Sequence, residues 1–302
     1  MRKLCSIALF SAAALIGNPV VAKSPGSIDP AMIQAMSGLK GTFFPDENVY
    51  KIGMPRTDVK IQVDGWSMSP FMGLGSWAAF TPAPDGQLMM MGDTVVFEDE
   101  VNPVMSAAFA AGLEVTALHN HFFFDEPKVY FMHIGGTGDV IDLATGVKRI
   151  YDKIAEIRAA NPVPAKSFPA RIAAANAITA APLETILGVK GQADQGMFKI
   201  VIGRPASMHG MSIGKEMGVN TWASFGGTDT EAVVDGDFAM TEAELQTVLK
   251  TMRAEGINIV AIHQHMSHEQ PRYLFLHYWG KGKAPMLAQS LKKVLDAQTG
   301  VR

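Results

Sequence analysis

The chain has 302 residues, of which 48% are apolar and 18% are charged; this composition supports a sizeable core and argues against global disorder. Its formal net charge is −3 and it contains no run of basic residues, which argues against a nucleic-acid partner. The length accommodates one large domain or two of ordinary size.

The N-terminal residues have the pattern of a signal peptide. Two basic residues precede an apolar segment at 4–16, and the small-residue sequence Val-Val-Ala at 20–22 is typical of a cleavage site. We therefore predict a signal peptide over 1–22 and a periplasmic or secreted protein. The apolar segment is too short to span a bilayer, so no transmembrane helix is expected after cleavage. The one cysteine, Cys5, leaves with the peptide, so a bound metal would need His, Asp, Glu or backbone oxygen as ligands.

The predicted elements form two similar sets. Residues 23–48 make a lead-in with a short helix near 30–38, and a proline-rich linker at 160–183 separates a first repeat, 49–159, from a second, 184–302. In the first repeat, apolar periodicity predicts strands at 59–63, 75–80, 87–96, 114–121 and 128–134 and helices at 99–111 and 139–158. In the second repeat it predicts strands at 198–202, 221–225, 231–235, 257–265 and 272–278 and helices at 241–255 and 284–297.

Each repeat thus reads β-β-β-α-β-β-α. The short connection between the last two strands suits a hairpin, which makes that pair antiparallel. The predicted fold is α+β, with helices on mostly antiparallel sheets and two halves related by a pseudo-twofold. The strand order and the oligomeric state stay open.

The strongest internal similarity surrounds the histidines. Residues 112–139 read GLEVTALHNHFFFDEPKVYFMHIGGTGD, and residues 256–282 read GINIVAIHQHMSHEQPRYLFLHYWGKG. With an offset of 144 residues, the difference between 263 and 119, six of the eight histidines fall on repeated positions. These candidate metal ligands are His119, His121, His133, His263, His265 and His277. A duplication that retained its histidines while other residues diverged makes histidine chemistry the leading hypothesis.

Strand alternation brings these side chains together. Residues two apart in a strand project from the same face, so His119 and His121 can serve one metal ion. If position 119 pairs with 131 in the hairpin, His133 shares that face; a slip of one residue turns it to the other side. The sequence leaves both registers open.

Acidic residues recur near the histidines in both repeats. Asp125 and Glu269 follow the second histidine of each repeat by four residues. Asp93 and Asp237 end a strand, where a role in helix capping and a turn also explains them, and Glu100 and Glu244 lie in the first turn of a helix, where the helix dipole alone also explains them. The candidate bases or supporting carboxylates are Asp93, Glu100, Asp125, Glu126, Asp237, Glu244 and Glu269.

The stretch MGDTVVFEDEVNPVMSAAFAAGLEVTALHNH resembles the LppY/LpqO family of bacterial secreted proteins and lipoproteins, a domain of unknown function. The resemblance covers roughly residues 48–298. The family pattern maps onto Asp93, Glu100, Asn102, His119, Asn120, His121 and His133, and onto Asp237, Glu244, His263, His265 and His277. The second repeat departs from it, with Gln264 where Asn is usual and Glu-Leu-Gln at 244–246 in place of Glu-Val-Asn. Because this chain lacks the lipobox cysteine of some members, the resemblance implies a soluble exported form.

Three functions are compatible with these patterns. The leading one is binding of a divalent transition metal, with Zn, Fe, Cu and Mn not distinguishable. The alternatives are a metal-dependent envelope hydrolase or oxidoreductase, and a non-catalytic duplicated structural or ligand-binding module. The chain has no His-Glu-x-x-His or P-loop motif, so the sequence leaves open whether it is an enzyme. The expected partner is a metal ion or a small molecule.

Overall fold

A computed structural model describes residues 27–298, so the predicted signal peptide lies outside the described residues. The elements of the first half are α1 (Pro30–Ser37), β1 (Gly41–Phe44), β2 (Val49–Pro55), β3 (Gln62–Val63), β4 (Trp66–Ser67), β5 (Gly75–Pro82), β6 (Leu88–Phe97), α2 (Val101–Ala110), β7 (Glu114–His119), β8 (Asp125–Glu126), β9 (Val129–Gly138) and α3 (Val140–Ala160). The elements of the second half are α4 (Ala180–Leu187), β10 (Gln192–Asp194), β11 (Met197–Gly203), β12 (Ala206–Met208), β13 (Met211–Ile213), β14 (Asn220–Gly227), β15 (Ala232–Thr241), α5 (Leu245–Ala254), β16 (Asn258–His263), β17 (Glu269–Gln270), β18 (Tyr273–Gly282) and α6 (Ala284–Ala297).

The main sheet is palindromic. Within residues 27–298 it has twelve strands in the order β1-β2-β5-β6-β9-β7-β16-β18-β15-β14-β11-β10, and its neighbouring strands are antiparallel. Strands β7 and β16 meet at the centre, where Leu118 lies opposite Ile262. These two residues are equivalent under the offset of 144, so the pseudo-twofold axis passes through this pair. The duplicated α+β fold with antiparallel strands is confirmed.

The helices cover one face of this sheet. Along α3, Leu143, Val147, Ile150 and Ile154 recur at helical spacing and are buried, and the Asp139 side chain caps the helix by accepting from the Ile141 N–H. The helix-facing core runs across both halves without a break. No helix in the described part of the chain is long and apolar enough to cross a membrane.

The opposite face carries polar residues along its centre and a smaller apolar cluster in each half. The short strands β3, β4 and β8 form one small sheet, and β12, β13 and β17 form its counterpart. Each small sheet and the loops around it lie over buried residues of the main sheet, such as Phe131 in the first half and Phe275 in the second. The central histidine-bearing part of this face is therefore partly exposed.

The repeating unit is longer than the predicted β-β-β-α-β-β-α. Helix α1 and strand β1 lie in the predicted lead-in, and their counterparts α4 and β10 open the second half. Strand β2 was missed, although Tyr50 and Ile52 are buried and alternate with exposed residues. The predicted strand at 59–63 is only the short β3, and the strand predicted over 114–121 ends at His119.

In each half, one amide side chain forms hydrogen bonds to the backbone of a β-bulge in the other half. Strand β7 has a bulge between Val115 and Ala117, and β16 has one between Ile259 and Ala261. Asn102 accepts from the Ile259 N–H at 2.8 Å and donates to the Ile259 carbonyl at 3.2 Å. Gln246, at the equivalent position, accepts from the Val115 N–H at 3.2 Å and donates to the Val115 carbonyl at 2.8 Å. The Gln that departs from the family pattern thus makes the same type of contact as the Asn.

Candidate metal centre

The strand register brings two histidines of each half to one face; the third, His121 or His265, was predicted within the same strand but lies in the loop just after it. His119 pairs with Phe131 and Ala117 with His133, so His133 faces the same side as His119. This is the favourable one of the two predicted registers, and the bulge produces it. If the pairing of Val115 with Ile134 continued without an extra residue, His133 would lie opposite residue 116 and face away from His119.

Two groups result, one in each half. Asp93 pairs directly with His133, and Asp237 pairs directly with His277, so each group includes a strand aspartate. We call Asp93, His119, His121 and His133 the first histidine group. We call Asp237, His263, His265 and His277 the second histidine group.

The second histidine group has three converging ligand atoms. His265 Nε2 lies 2.9 Å from Asp237 Oδ2 and 3.2 Å from His263 Nε2. One ligand atom from each of these three residues lies within 4.8 Å of the others. Asp237 is only 2% exposed, and its Oδ1 atom has no hydrogen-bond partner within the described residues. The carboxylate is therefore a buried charge that faces the imidazoles.

Backbone carbonyls determine which ring nitrogens carry protons. His265 Nδ1 lies 3.0 Å from the Gly218 carbonyl, and His277 Nδ1 lies 3.2 Å from the Gly236 carbonyl. Since a carbonyl oxygen only accepts, each Nδ1 carries a proton and each neutral ring presents its Nε2 lone pair. The His265 lone pair then faces a carboxylate oxygen and another imidazole, which is favourable only when a proton or a metal cation lies between them. A carbonyl on the second ring nitrogen is also the usual support of a metal-bound histidine.

The electrostatics of this group keep His263 neutral. Burial, followed by the neighbouring His277 and His265, lowers the pKa of His263 to about 4. Burial raises the pKa of Asp237, although His277 and His265 oppose this effect. Neutral imidazole is the form that binds metal, and a buried carboxylate gains from a neighbouring cation.

The first histidine group is similar but less convergent. His119 Nε2 lies 2.9 Å from His133 Nε2, while the His121 ring stacks on Phe131 with centroids 3.3 Å apart. Burial and then the charge of His119 lower the pKa of His121, although Asp93 raises it. Asp93 is 8% exposed, and no residue in 27–298 hydrogen-bonds to its Oδ1 atom.

Two of the candidate carboxylates lie at the starts of helices and pair with arginines instead of the histidines. Glu100 is completely buried and forms ion pairs with Arg56 at 2.8 Å and Arg158 at 2.9 Å. Glu244 pairs with Arg204 at 2.7 Å and accepts from the Thr241 N–H. Their partners were not foreseen, because an arginine 40 or more residues away leaves no local pattern.

The carboxylates that follow the His-x-His sequences close loops. Asp125 accepts from the Val129 N–H at 2.7 Å, and Glu269 accepts from the Tyr273 N–H at 3.0 Å. Glu126 is exposed in β8. Of the seven candidate carboxylates, Asp93 and Asp237 are therefore the ones that the structure brings to the histidines. Sequence reasoning missed the Gly218 carbonyl, although the repeated Met-Gly at 72–73 and 217–218 marked that loop.

Comparison with known proteins identifies a family but no activity. The trimeric bacterial microcompartment shell protein PduB is 11% identical over 84% of this chain and 90% of that chain, with a TM-score of 0.22. The double-ringed trimeric shell protein MSM0271 from the RMM microcompartment is 13% identical over 71% of this chain and 82% of that chain, with a TM-score of 0.18. No curated protein matches the chain significantly. The profile described as Domain of Unknown Function (DUF1259) matches residues 31–153 and again 181–297, so the chain belongs to this family.

Proposed function

We propose that this protein is an exported, periplasmic or secreted member of the LppY/LpqO type that binds a divalent transition metal. The second histidine group is the main site, and the first is its counterpart across the pseudo-twofold. The side chains that would hold the ion in the second group are Asp237, His263 and His265, which supply one carboxylate and two imidazoles.

The convergence of these three ligand atoms carries the proposal. Two ligands that bind Zn²⁺ tetrahedrally at about 2.05 Å lie about 3.3 Å from each other. His263 Nε2 and His265 Nε2 are 3.2 Å apart, and Asp237 Oδ2 is 2.9 Å from the latter. A set of imidazoles and a carboxylate without thiolate suits Zn, Fe, Cu or Mn, and the metal-bound state would compensate the buried charge of Asp237.

The groups could act separately or share one ion. Leu118 lies opposite Ile262 on the axis, so His119 and His263 each follow the axial pair by one residue, on the same face. Metal stoichiometry distinguishes the two arrangements.

The experiment compares matched variants of the two halves. Metal content is measured by mass spectrometry on protein purified without an affinity tag, for His263→Ala/His265→Ala and for His119→Ala/His121→Ala. His209→Ala/His268→Ala is the control, because it removes two exposed histidines outside both groups. We expect the second-group variant to lose metal and the control to retain it. If either double variant loses the metal of both halves, the two groups share one ion. If each double variant loses only the metal of its own half, the ions are separate.

The same measurement can overturn the proposal. The proposal fails if the wild type contains substoichiometric metal and both double variants fold normally with the same metal content. The remaining interpretation is then the non-catalytic structural or ligand-binding module. In that case the histidines only satisfy buried polar groups. Asp237→Asn, with Asp93→Asn as its counterpart, repeats the test without removing a ring.

A metal-dependent hydrolase or oxidoreductase is the second candidate. It is favoured by a cleft of about 480 Å³ that His277 helps to line, because a ligand in this cleft would border the second histidine group. A panel of ester, phosphoester and redox substrates tests it. Turnover that requires added metal and is lost in Asp237→Asn supports an enzyme, and turnover unaffected by Asp237→Asn contradicts it.

Export has its own test. The signal pattern predicts a mature chain that starts near Lys23 and contains no thiol. Intact mass and N-terminal sequencing of the protein from the cell envelope or medium measure this directly. A chain that retains Cys5 or carries lipid contradicts the export proposal.

A further inference from the structure

The cleft beside the second histidine group lies in a notch between the two halves. Strand β7 ends its pairing with β9 at His119, whereas β9 continues along β6 through Tyr130 and Val129. The other side of the notch is formed by the first residues of β16, which precede the point where β16 pairs with β7. One of them, the bulged residue Val260, is 39% exposed. Tyr130 and Val260 line the resulting cleft of about 480 Å³.

The linker between the halves covers this notch as a strap. Residues 165–168 line the cleft. At one end, the Ala165 N–H donates to Asp99 at 3.0 Å. At the other end, Lys281 Nζ donates to the carbonyls of Phe168 and Ala170 at 3.1 and 3.2 Å. Because the linker joins the halves once, it lies on one side of the pseudo-twofold, so this cleft is a departure from the symmetry.

The lining combines aromatic rings with carboxylates. Tyr130, Phe168 and Trp279 come from the first half, the strap and the second half respectively. Asp235 is exposed and is the direct strand partner of Trp279, so the carboxylate and the indole lie side by side on one face. Glu98 supplies a second carboxylate from the first half.

The acidic side chains differ in whether their charge is already compensated. Asp99 is paired with Arg158, which is 7% exposed. Glu98 is in a less favourable environment: burial raises its pKa, as do Asp125 and Asp99, although Lys128 opposes them. The strap also brings a basic residue to the cleft, Lys166, whose side chain is exposed to solvent. A cation that entered the cleft would therefore meet Glu98 and Asp235, while a ring attached to it would contact Trp279 and its aromatic neighbours.

We propose that this cleft is a binding site for a small aromatic molecule that carries a cationic amine. The ring lies among Tyr130, Phe168 and Trp279, and the amine faces Asp235 and Glu98. This placement brings the ligand against His277, which belongs to both the cleft and the second histidine group. The side chains that would hold the ring and the amine lie outside both histidine groups, so this site goes beyond the proposed metal binding and does not depend on it.

Calorimetric titration with tryptamine tests the proposal, with indole-3-acetate and indole as the anionic and neutral counterparts. We expect tryptamine to bind best. Trp279→Ala should weaken its binding at least tenfold, and Asp235→Asn about threefold or more. Trp222→Ala is the matched control, because this tryptophan lies on the same face in the same half but outside the cleft lining. It should leave the affinity unchanged. Asp235→Asn changes an exposed residue, so it keeps the test valid if Trp279→Ala fails to fold.

The titration is repeated on metal-stripped protein to separate the two proposals. Tryptamine binding that persists without metal and is lost in Trp279→Ala supports the cleft, even if the histidine groups hold no ion. Binding that requires metal, disappears in His263→Ala/His265→Ala and survives Trp279→Ala overturns it. Equal binding of tryptamine and indole-3-acetate, unchanged by Asp235→Asn, also overturns it, as does the absence of binding by all three probes.

Discussion

Replacing Asn102 with alanine should weaken both the fold and the metal site of the opposite half. Asn102 is 4% exposed and makes two hydrogen bonds, at 2.8 and 3.2 Å, to the backbone of Ile259. These bonds hold the bulge after which Ala261 pairs with His277. The bulge in turn determines that His263 and His277 share one face. The substitution therefore acts on the second histidine group without touching a histidine.

The magnitude follows from the two backbone groups left without partners. An orphaned buried donor or acceptor costs about 1–3 kcal/mol, so two cost about 2–6 kcal/mol. Asn102 lines the cleft, so water can reach part of the vacated space, and alanine restores a few tenths of a kcal/mol of helix propensity. We therefore expect the free energy of unfolding to fall by about 2–3 kcal/mol, and metal affinity at the second group to fall at least tenfold.

Urea unfolding measures the first quantity, and competition with a chelator measures the second. Gln246→Ala is the matched variant; it should reduce stability less, because Gln246 is only half-buried, and should affect the first histidine group instead. Asn161→Ala, at an exposed asparagine, is the stability control. A loss below about 0.5 kcal/mol for Asn102→Ala would refute the accounting of buried groups. Equal effects of Asn102→Ala and Gln246→Ala on both groups would refute the link between bulge and register.

Two further predictions concern the scaffold of the site. Gly236→Ala should lower the free energy of unfolding by about 1–3 kcal/mol, because an added Cβ would lie 2.2 Å from Tyr278 Oη. In Gly92→Ala the nearest atom to the added Cβ is a carbonyl oxygen at 2.7 Å, so the loss of stability should be smaller. Thermal unfolding of the two variants measures this difference. Burial alone would raise the pKa of Glu244, but hydrogen bonds from Arg204 and the Thr241 N–H lower it on balance. Its stabilisation is therefore present above the unfolded-state pKa of about 4.3 and is lost as the pH falls through the lower folded-state value. Glu244→Gln should remove that part of the acid dependence in urea unfolding, and an unchanged profile would contradict the assignment.

The sequence was most informative where the signal is local or repeated. The offset of 144 paired every histidine of the first group with one of the second, and strand alternation correctly placed His119 and His133 on one face in one of two registers. It could not choose between those registers, because the choice depends on a bulge held by Gln246, which is more than 100 residues away. The period of two in a strand makes such a single-residue shift decisive.

The carboxylates were predicted less well for the same reason. Asp93 and Asp237 reach the histidines through strand pairing, whereas Glu100 and Glu244 are held by Arg56 and Arg204, which lie in the loops that follow β2 and β11. In the sequence, all four are simply acids at repeated positions. An ion pair at the start of a helix recurs in both halves just as a metal ligand does. The repeat alone therefore could not distinguish a carboxylate that pairs with arginine from one that faces the histidines.

The antiparallel junction of β7 and β16 has a consequence for the origin of the chain. Each strand meets its own repeat there, so the junction is isologous, like the interface of a twofold dimer. The arrangement is that of a fused homodimer, in which a half on its own would present β7 as an edge able to pair with another copy of itself. Fusion through a single linker removes the equivalence of the two sides. Trp279 and Asp235, where the first half has Gly135 and Met91, are differences that a homodimer of identical subunits could not hold on one side only.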